Sequence, residues 1–131
     1  MGFLVVVLVI AVMLALYVRY APLPPMLDVP VVIVDTDIVG GFIVVRPFTS
    51  NKDELIARIT QVALATPRTQ KISDSPLIFV TRSRVIGFPD TTTFDIQSDV
   101  MTIYAHLVYG HSDMGVNKAR ILSWLDRLGP L

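Results

Sequence analysis

Two short stretches hold most of the side chains that could do chemistry. The first is Arg82-Ser83-Arg84-Val85-Ile86-Gly87-Phe88-Pro89-Asp90. The second is Tyr109-Gly110-His111-Ser112-Asp113-Met114-Gly115-Val116-Asn117, with Arg120 three residues further on. Arg82 and Arg84 are two apart, so a strand would aim both at one face, where they could fork onto a carboxylate or a phosphate. The competing role, and the expected one, is structural: pairing with Asp90, Asp113 or backbone carbonyls, because a partly buried arginine needs a partner. The run from Gly87 to Asp90 reads as a constrained turn, since glycine permits positive φ and proline fixes the next corner. Phe88 within it is either a plug into the core or an exposed anchor for a partner. Asp113 and Asn117 are four apart at the start of a helix and could present polar groups on one face. A cap plus a turn-stabilising amide is the simpler reading of that pair. Tyr109 can bury its ring while its hydroxyl finds a hydrogen bond, and Trp124 reads as core.

Other chemistries find little support. His106 and His111 are five apart, and no histidine–carboxylate spacing makes a metal set. The chain has no cysteine, hence no disulfide, thiolate site or thiol nucleophile. Ser83 and Ser112 each lie near an acid or an arginine, but there is no Gly-x-Ser-x-Gly elbow and no histidine placed as a base. Phosphate-loop and dinucleotide fingerprints are missing too. The expectation is a non-enzymatic protein without cofactor or metal. Eleven basic and eleven acidic side chains give zero net charge, which argues against electrostatic binding to nucleic acid. Charged residues make up only 17% and the mean hydropathy is +0.62, too apolar for an ordinary soluble domain, so part of the chain is expected in lipid.

The elements that must position the two stretches follow from pattern. Residues 1–18 contain no charge and no proline; at about 1.5 Å per residue they span roughly 27 Å, close to the ~30 Å hydrocarbon thickness. Tyr17, Arg19 and Tyr20 cluster at one end as interfacial anchors do. There is no basic n-region and the run exceeds a usual signal h-region, so residues 1–20 are expected to be a retained transmembrane helix. Pro22, Pro24, Pro25 and Pro30 make residues 21–30 a stiff linker. Residues 31–131 then form one domain. Runs 31–34 and 42–45 read as strands or extended segments. A helix follows, with Ser50 and Asp53 as a capping box, Leu55, Ile56, Ile59, Val62 and Ala63 on one face, and Pro67 as its stop. Period two then takes over: Leu77, Phe79 and Thr81, then Phe94 and Ile96, then Met101, Ile103, Ala105 and Leu107. With turns at Gly87-Phe88-Pro89-Asp90 and Ser98-Asp99, these are three strands of an antiparallel meander. A last helix over 115–128 is capped by Ser112 or Asp113, carries Val116, Ile121, Leu122, Leu125 and Leu128, and closes at Gly129-Pro130. The fold class is α+β: an N-terminal transmembrane helix, then a meander with two helices on one face. The first and third meander strands run parallel, so the Gly87 and Gly110 turns should meet at one sheet edge. There Asp90 or Asp113 should pair with Arg82, Arg84 or Arg120.

The ordered pattern Arg82-Ser83-Arg84-x-x-Gly87-Phe88-Pro89-Asp90, Tyr109-Gly110-x-Ser112-Asp113-x-Gly115-Val116-Asn117-x-x-Arg120 and Trp124-Leu125 resembles the family called domain of unknown function 1499. Phe42-x-x-x-Arg46-Pro47 and the membrane segment running into Tyr17-Val18-Arg19 fit as well, so the resemblance covers nearly the whole chain. It implies a small membrane-tethered domain on the extracytoplasmic side, with no established activity. The chain departs from the family at Ala105-His106-Leu107-Val108, where members often alternate serine and arginine. An anionic site built on those arginines therefore does not carry over. Arg19 alone would favour a cytoplasmic domain; the resemblance outweighs that single charge. Size, anchor and the lack of a catalytic constellation point to a single-pass protein of the inner or plasma membrane, and the resemblance implies that its domain is periplasmic. Its partners would be the lipid bilayer and a larger membrane protein complex, of which it is an accessory or assembly subunit. The alternative is a membrane-tethered binding domain for a small anionic or lipid-like ligand, held near Arg82, Arg84 and Tyr109. A hydrolase is the third reading.

Overall fold

A computed structural model describes residues 1–25 and 28–131; Met26 and Leu27, within the expected linker, lie outside the described residues. Gly2–Tyr20 forms one helix, α1, as an unbroken run of apolar residues without proline or charge before Arg19 should. It is the one helix among the described residues long and apolar enough to cross a membrane. Residues 1–14 are all exposed, so α1 leads away from the rest of the chain, and only its last turns approach the domain, where Val18 is buried.

The domain contains β1 (Thr36–Ile38), β2 (Gly41–Pro47), α2 (Lys52–Leu64), β3 (Thr69–Asp74), β4 (Leu77–Arg82), β5 (Pro89–Gln97), β6 (Val100–Leu107) and α3 (Val116–Leu128). The strands form one sheet in the order β1-β2-β6-β5-β4-β3, with every pairing antiparallel. The expected meander is its centre. β3 was not anticipated: it is an edge strand, mostly exposed, and such a strand needs no alternating apolar face. Of the two readings of residues 31–34, strand or extended segment, the strand does not form. Val31 is 98% exposed and Ile33 89%. Asp35 stops the ladder there: its carboxylate accepts from the backbone N–H of Val45 at 3.1 Å and from the Arg46 guanidinium at 2.6 and 2.8 Å, occupying the position a further strand residue would take.

The helices pack on the face bearing Leu77, Phe79, Phe94, Ile96, Met101, Ile103 and Ala105. Phe79, Phe94 and Trp124 meet at its centre with ring centroids 5.9 to 6.2 Å apart, two contacts edge-to-face and one stacked, the geometries aromatic quadrupoles favour. Two local expectations change. Asn51, not Ser50, caps α2, accepting from the N–H groups of Asp53 at 2.9 Å and Glu54 at 3.3 Å; the Ser50 hydroxyl is buried without a partner. On α3 the buried stripe is Asn117, Ile121, Trp124 and Leu128, while Val116 and Leu122 are exposed. A polar residue takes the place the pattern gave to an apolar one.

The opposite sheet face is also covered. Ile43, Ile78, Val80, Thr91, Thr93 and Tyr104 are buried there, although neither domain helix lies on it. α1 ends beside Val80 and Arg82 of β4, whereas β1 begins at the far edge of the sheet. In the connection between them Leu23, Val29 and Val32 are half-buried. Removing the α2 cap by Asn51→Ala should cost about 1 kcal/mol. Ser50→Ala, which deletes an unpartnered hydroxyl, should cost nothing. Urea unfolding of both variants in mild detergent, followed by circular dichroism, checks the pair.

Candidate functional site

β4 ends, β5 begins and β6 ends at one edge of the sheet: Arg82 lies opposite Pro89, and Asp90 opposite Leu107. The two turns therefore meet as expected. In the β4–β5 turn the Ser83 hydroxyl accepts from the N–H groups of Gly87 at 3.1 Å and Phe88 at 2.9 Å, and the Ser83 N–H donates to the Phe88 carbonyl at 2.9 Å. Gly87 takes φ 86°, a value that strains any residue with a Cβ. The Arg82 guanidinium donates to the Gly87 carbonyl at 3.0 Å and reaches the Val18 carbonyl of α1 at 3.4 Å. Arg82 thus staples the turn and the end of α1 together. In the second turn the Asp113 carboxylate accepts from the N–H groups of Gly115 at 3.1 Å and Asn117 at 2.9 Å. It caps α3 from outside Gly115, while the Ser112 hydroxyl accepts from the Met114 N–H at 3.2 Å.

Between the turns lies a buried polar network. Asn117 is fully buried; its amide donates to Asp90 at 3.3 Å, and its carbonyl oxygen accepts from Arg120. Arg120 and Asp90 approach to 3.6 Å, their side chains 9% and 17% exposed. Burial raises the Asp90 pKa, with help from the Asp113 charge and against the pull of Arg120 and Asn117. Burial likewise lowers that of Arg120 despite Asp90 beside it. Both shifts say the same thing: desolvating the two charges costs more than their attraction returns, so the pair fixes geometry rather than adding net stability. For Asp113, burial is outweighed by the hydrogen bonds it accepts, and its pKa is lowered.

The two turns, the connection after α2 and one side of α3 enclose a cleft of about 880 Å³. Its apolar walls are Phe88, Leu107, Tyr109, Met114, Val116 and Trp124. Five arginines, Arg68, Arg82, Arg84, Arg120 and Arg127, line it with two carboxylates, Asp90 and Asp113, the Arg82 guanidinium being turned to the Gly87 and Val18 carbonyls. Phe88 is an exposed wall, not a core plug, and Trp124 serves core and cleft at once, its indole N–H donating to Thr66 at 2.8 Å. The Tyr109 hydroxyl has no hydrogen bond among the described residues.

A sequence model of the family described as protein of unknown function (DUF1499) matches residues 41–128. The chain belongs to the DUF1499 family. No curated protein and no solved structure matches it. The matched segment runs from β2 to the end of α3 and contains both turns, while α1 and residues 21–40 lie outside it.

Within this DUF1499 domain the eight anticipated residues share one edge but not one network. Asp90, Asn117 and Arg120 are joined directly and Asp113 fastens the helix that carries two of them. Arg84 does not pair with a carboxylate: the strand ends at Arg82, so the same-face relation lapses, and Arg84 has no ion pair among the described residues. Arg82 pairs with carbonyls instead of carboxylates. Arg68 and Arg127 were missed. Arg127 could have been found, since Arg120, Ser123, Trp124 and Arg127 follow three- and four-residue helical spacing. Arg68 precedes an edge strand and gave no local signal. His106 is engaged by Thr91 at 2.9 Å, and the described residues contain no group of three or more metal-ligating side chains.

Asn117→Ala should cost about 1–3 kcal/mol by leaving buried partners unsatisfied, while Arg84→Ala should stay within about 0.5 kcal/mol. The pH profile is also set. The folded state holds a proton on Asp90 more tightly than the unfolded chain, so this group's contribution falls as pH rises from the ordinary 3.8 through its raised value. Asp113 contributes stability above 3.8 that is lost as pH falls through its lowered value. Denaturant unfolding against pH should show the first slope flattened in Asp90→Asn and the second in Asp113→Asn.

Proposed function

We propose that this chain is a non-enzymatic, single-pass membrane protein whose extracytoplasmic domain holds a small anionic, lipid-like ligand in the cleft between the two turns. One observation carries the reading. In a chain of zero net charge, five arginines and two carboxylates line one cleft, and Arg84 and Arg127 have no ion pair among the described residues. Guanidinium groups fork onto carboxylates and phosphates, and aromatic walls with a few convergent polar groups suit the apolar part of such a ligand. The anchoring helix ends beside the cleft, which favours a ligand of the inner or plasma membrane itself. Against catalysis, the Ser83 and Ser112 hydroxyls already accept backbone hydrogen bonds within their own turns.

A second reading has its own support. Val31, Ile33 and Val34 form an exposed apolar run suited to burial against a larger membrane protein complex, as an accessory or assembly subunit would require. Native mass spectrometry after extraction in mild detergent separates the two. The ligand reading expects the protein to carry a bound small molecule that is lost from the Arg84→Ala/Arg127→Ala double variant at unchanged Tm. An empty protein that copurifies stoichiometrically with other membrane proteins contradicts it and supports the subunit reading.

A further inference from the structure

Beyond residue 35 the three most exposed large apolar side chains, Val39, Val85 and Met114, each stand in a turn, while Leu64, Ile72, Val116 and Leu122, about half exposed or less, lie on α2, β3 and α3. Val39 stands in the β1–β2 turn, Val85, Ile86 and Phe88 in the β4–β5 turn, and Tyr109 and Met114 in the β6–α3 turn, with Val85 86% and Met114 90% exposed. All three turns lie at the same edge of the sheet: Ile38 pairs with Gly41, Gly41 with His106, Asp90 with Leu107 and Arg82 with Pro89. The turns at the opposite edge present Thr49, Asn51, Ser75, Ser98 and Asp99 instead, with Val100 37% exposed; the exposed run Val31, Ile33 and Val34 enters β1 from that side. Single exposed apolar residues are ordinary, but the most exposed ones of the domain beyond residue 35 gather in three turns at one edge, which marks a surface for contact.

The end of α1 identifies what that surface meets. Its last turns are fastened to this same edge: Val18 is buried, Arg82 reaches the Val18 carbonyl at 3.4 Å, and a Cβ built on Gly87 would lie 3.4 Å from the Arg19 side chain. With Tyr17, Arg19 and Tyr20 at the interface, the β4–β5 turn sits at the same depth. Phe88 and Tyr109 are the residue types that settle among lipid headgroups, and Arg68, Arg84 and Arg127 around them suit lipid phosphates. We infer that this edge of the domain is immersed in the interfacial layer of the bilayer that α1 crosses, so that loop tips as well as the helix hold the domain to lipid and the cleft opens at headgroup depth. The inference rests on α1 being a membrane span.

The chain has no cysteine, so single cysteines can be placed at will and spin-labelled in the full-length protein. Val85→Cys and Met114→Cys report on the loops, Val39→Cys on the third turn should either variant fail to fold, Asp99→Cys on the opposite edge, and Leu8→Cys on α1. The protein is reconstituted in vesicles of phosphatidylcholine with a minority of phosphatidylglycerol. Collision with dissolved oxygen is then compared with collision with a water-soluble nickel chelate. The expected result is oxygen-dominated relaxation at Leu8, Val85 and Met114, and nickel-dominated relaxation at Asp99. Nickel-dominated relaxation at Val85, Met114 and Val39 with Leu8 still lipid-buried overturns the inference and leaves the membrane span standing. Nickel access at Leu8 as well overturns both.

Discussion

The ion pair between Asp90 and Arg120, bridged by the amide of Asn117, is the interaction on which the domain's working end depends. Asp90 belongs to the start of β5 and the other two to the first turns of α3, so the network ties a strand end to a helix start across a polar patch inside the helix–sheet contact. Its components are buried at a cost that their attraction does not repay. What the arrangement supplies is position. Asn117 reaches both Asp90 and Arg120 in one geometry, and that geometry sets α3 over the sheet with Asp113 at its head and Arg127 along its flank. An apolar contact of the same volume would tolerate sliding, and the cleft walls on the two sides would no longer be held in register.

The molecule is polarised along the strand direction. One edge of the sheet carries the arginines, the most exposed apolar turns and the end of α1; the other carries short, mostly polar turns and the exposed α2 cap. The segment joining α1 to β1 does not hold helix and domain apart. Arg82 clasps the helix end directly. The arginine excess, the aromatic walls and the apolar tips are therefore consequences of one placement, the two turns folded against the root of the helix.

Much of this was legible in the chain. Period-two alternation in Phe79, Phe94 and Ile103 carried the central strands, and meander geometry alone brought two turns more than twenty residues apart to one edge. The choice of Asp90 and Arg120 as partners was among the pairings that followed. The failures have physical causes. β3 is an edge strand whose partners on one side are solvent, so its sequence is free of the pattern that marks a central strand. Asn117 occupies a core position because Asp90 and Arg120 satisfy it, a fact of tertiary contact that no helical periodicity encodes. Asn51 displaced Ser50 as a cap by one residue, within the ordinary uncertainty of helix ends. Arg84 was placed on a strand that in fact ends two residues earlier.

A double-mutant cycle on Asp90 and Arg120 tests the central claim most directly. Equilibrium unfolding of Asp90→Ala, Arg120→Ala and the double variant should show each single change costing about 3–5 kcal/mol, because each strands a buried charge. The double variant should lose less than the sum by more than about 1 kcal/mol. Strict additivity of the two losses would contradict the account, because it would mean that the charge at the end of the strand and the charge on the helix do not depend on each other.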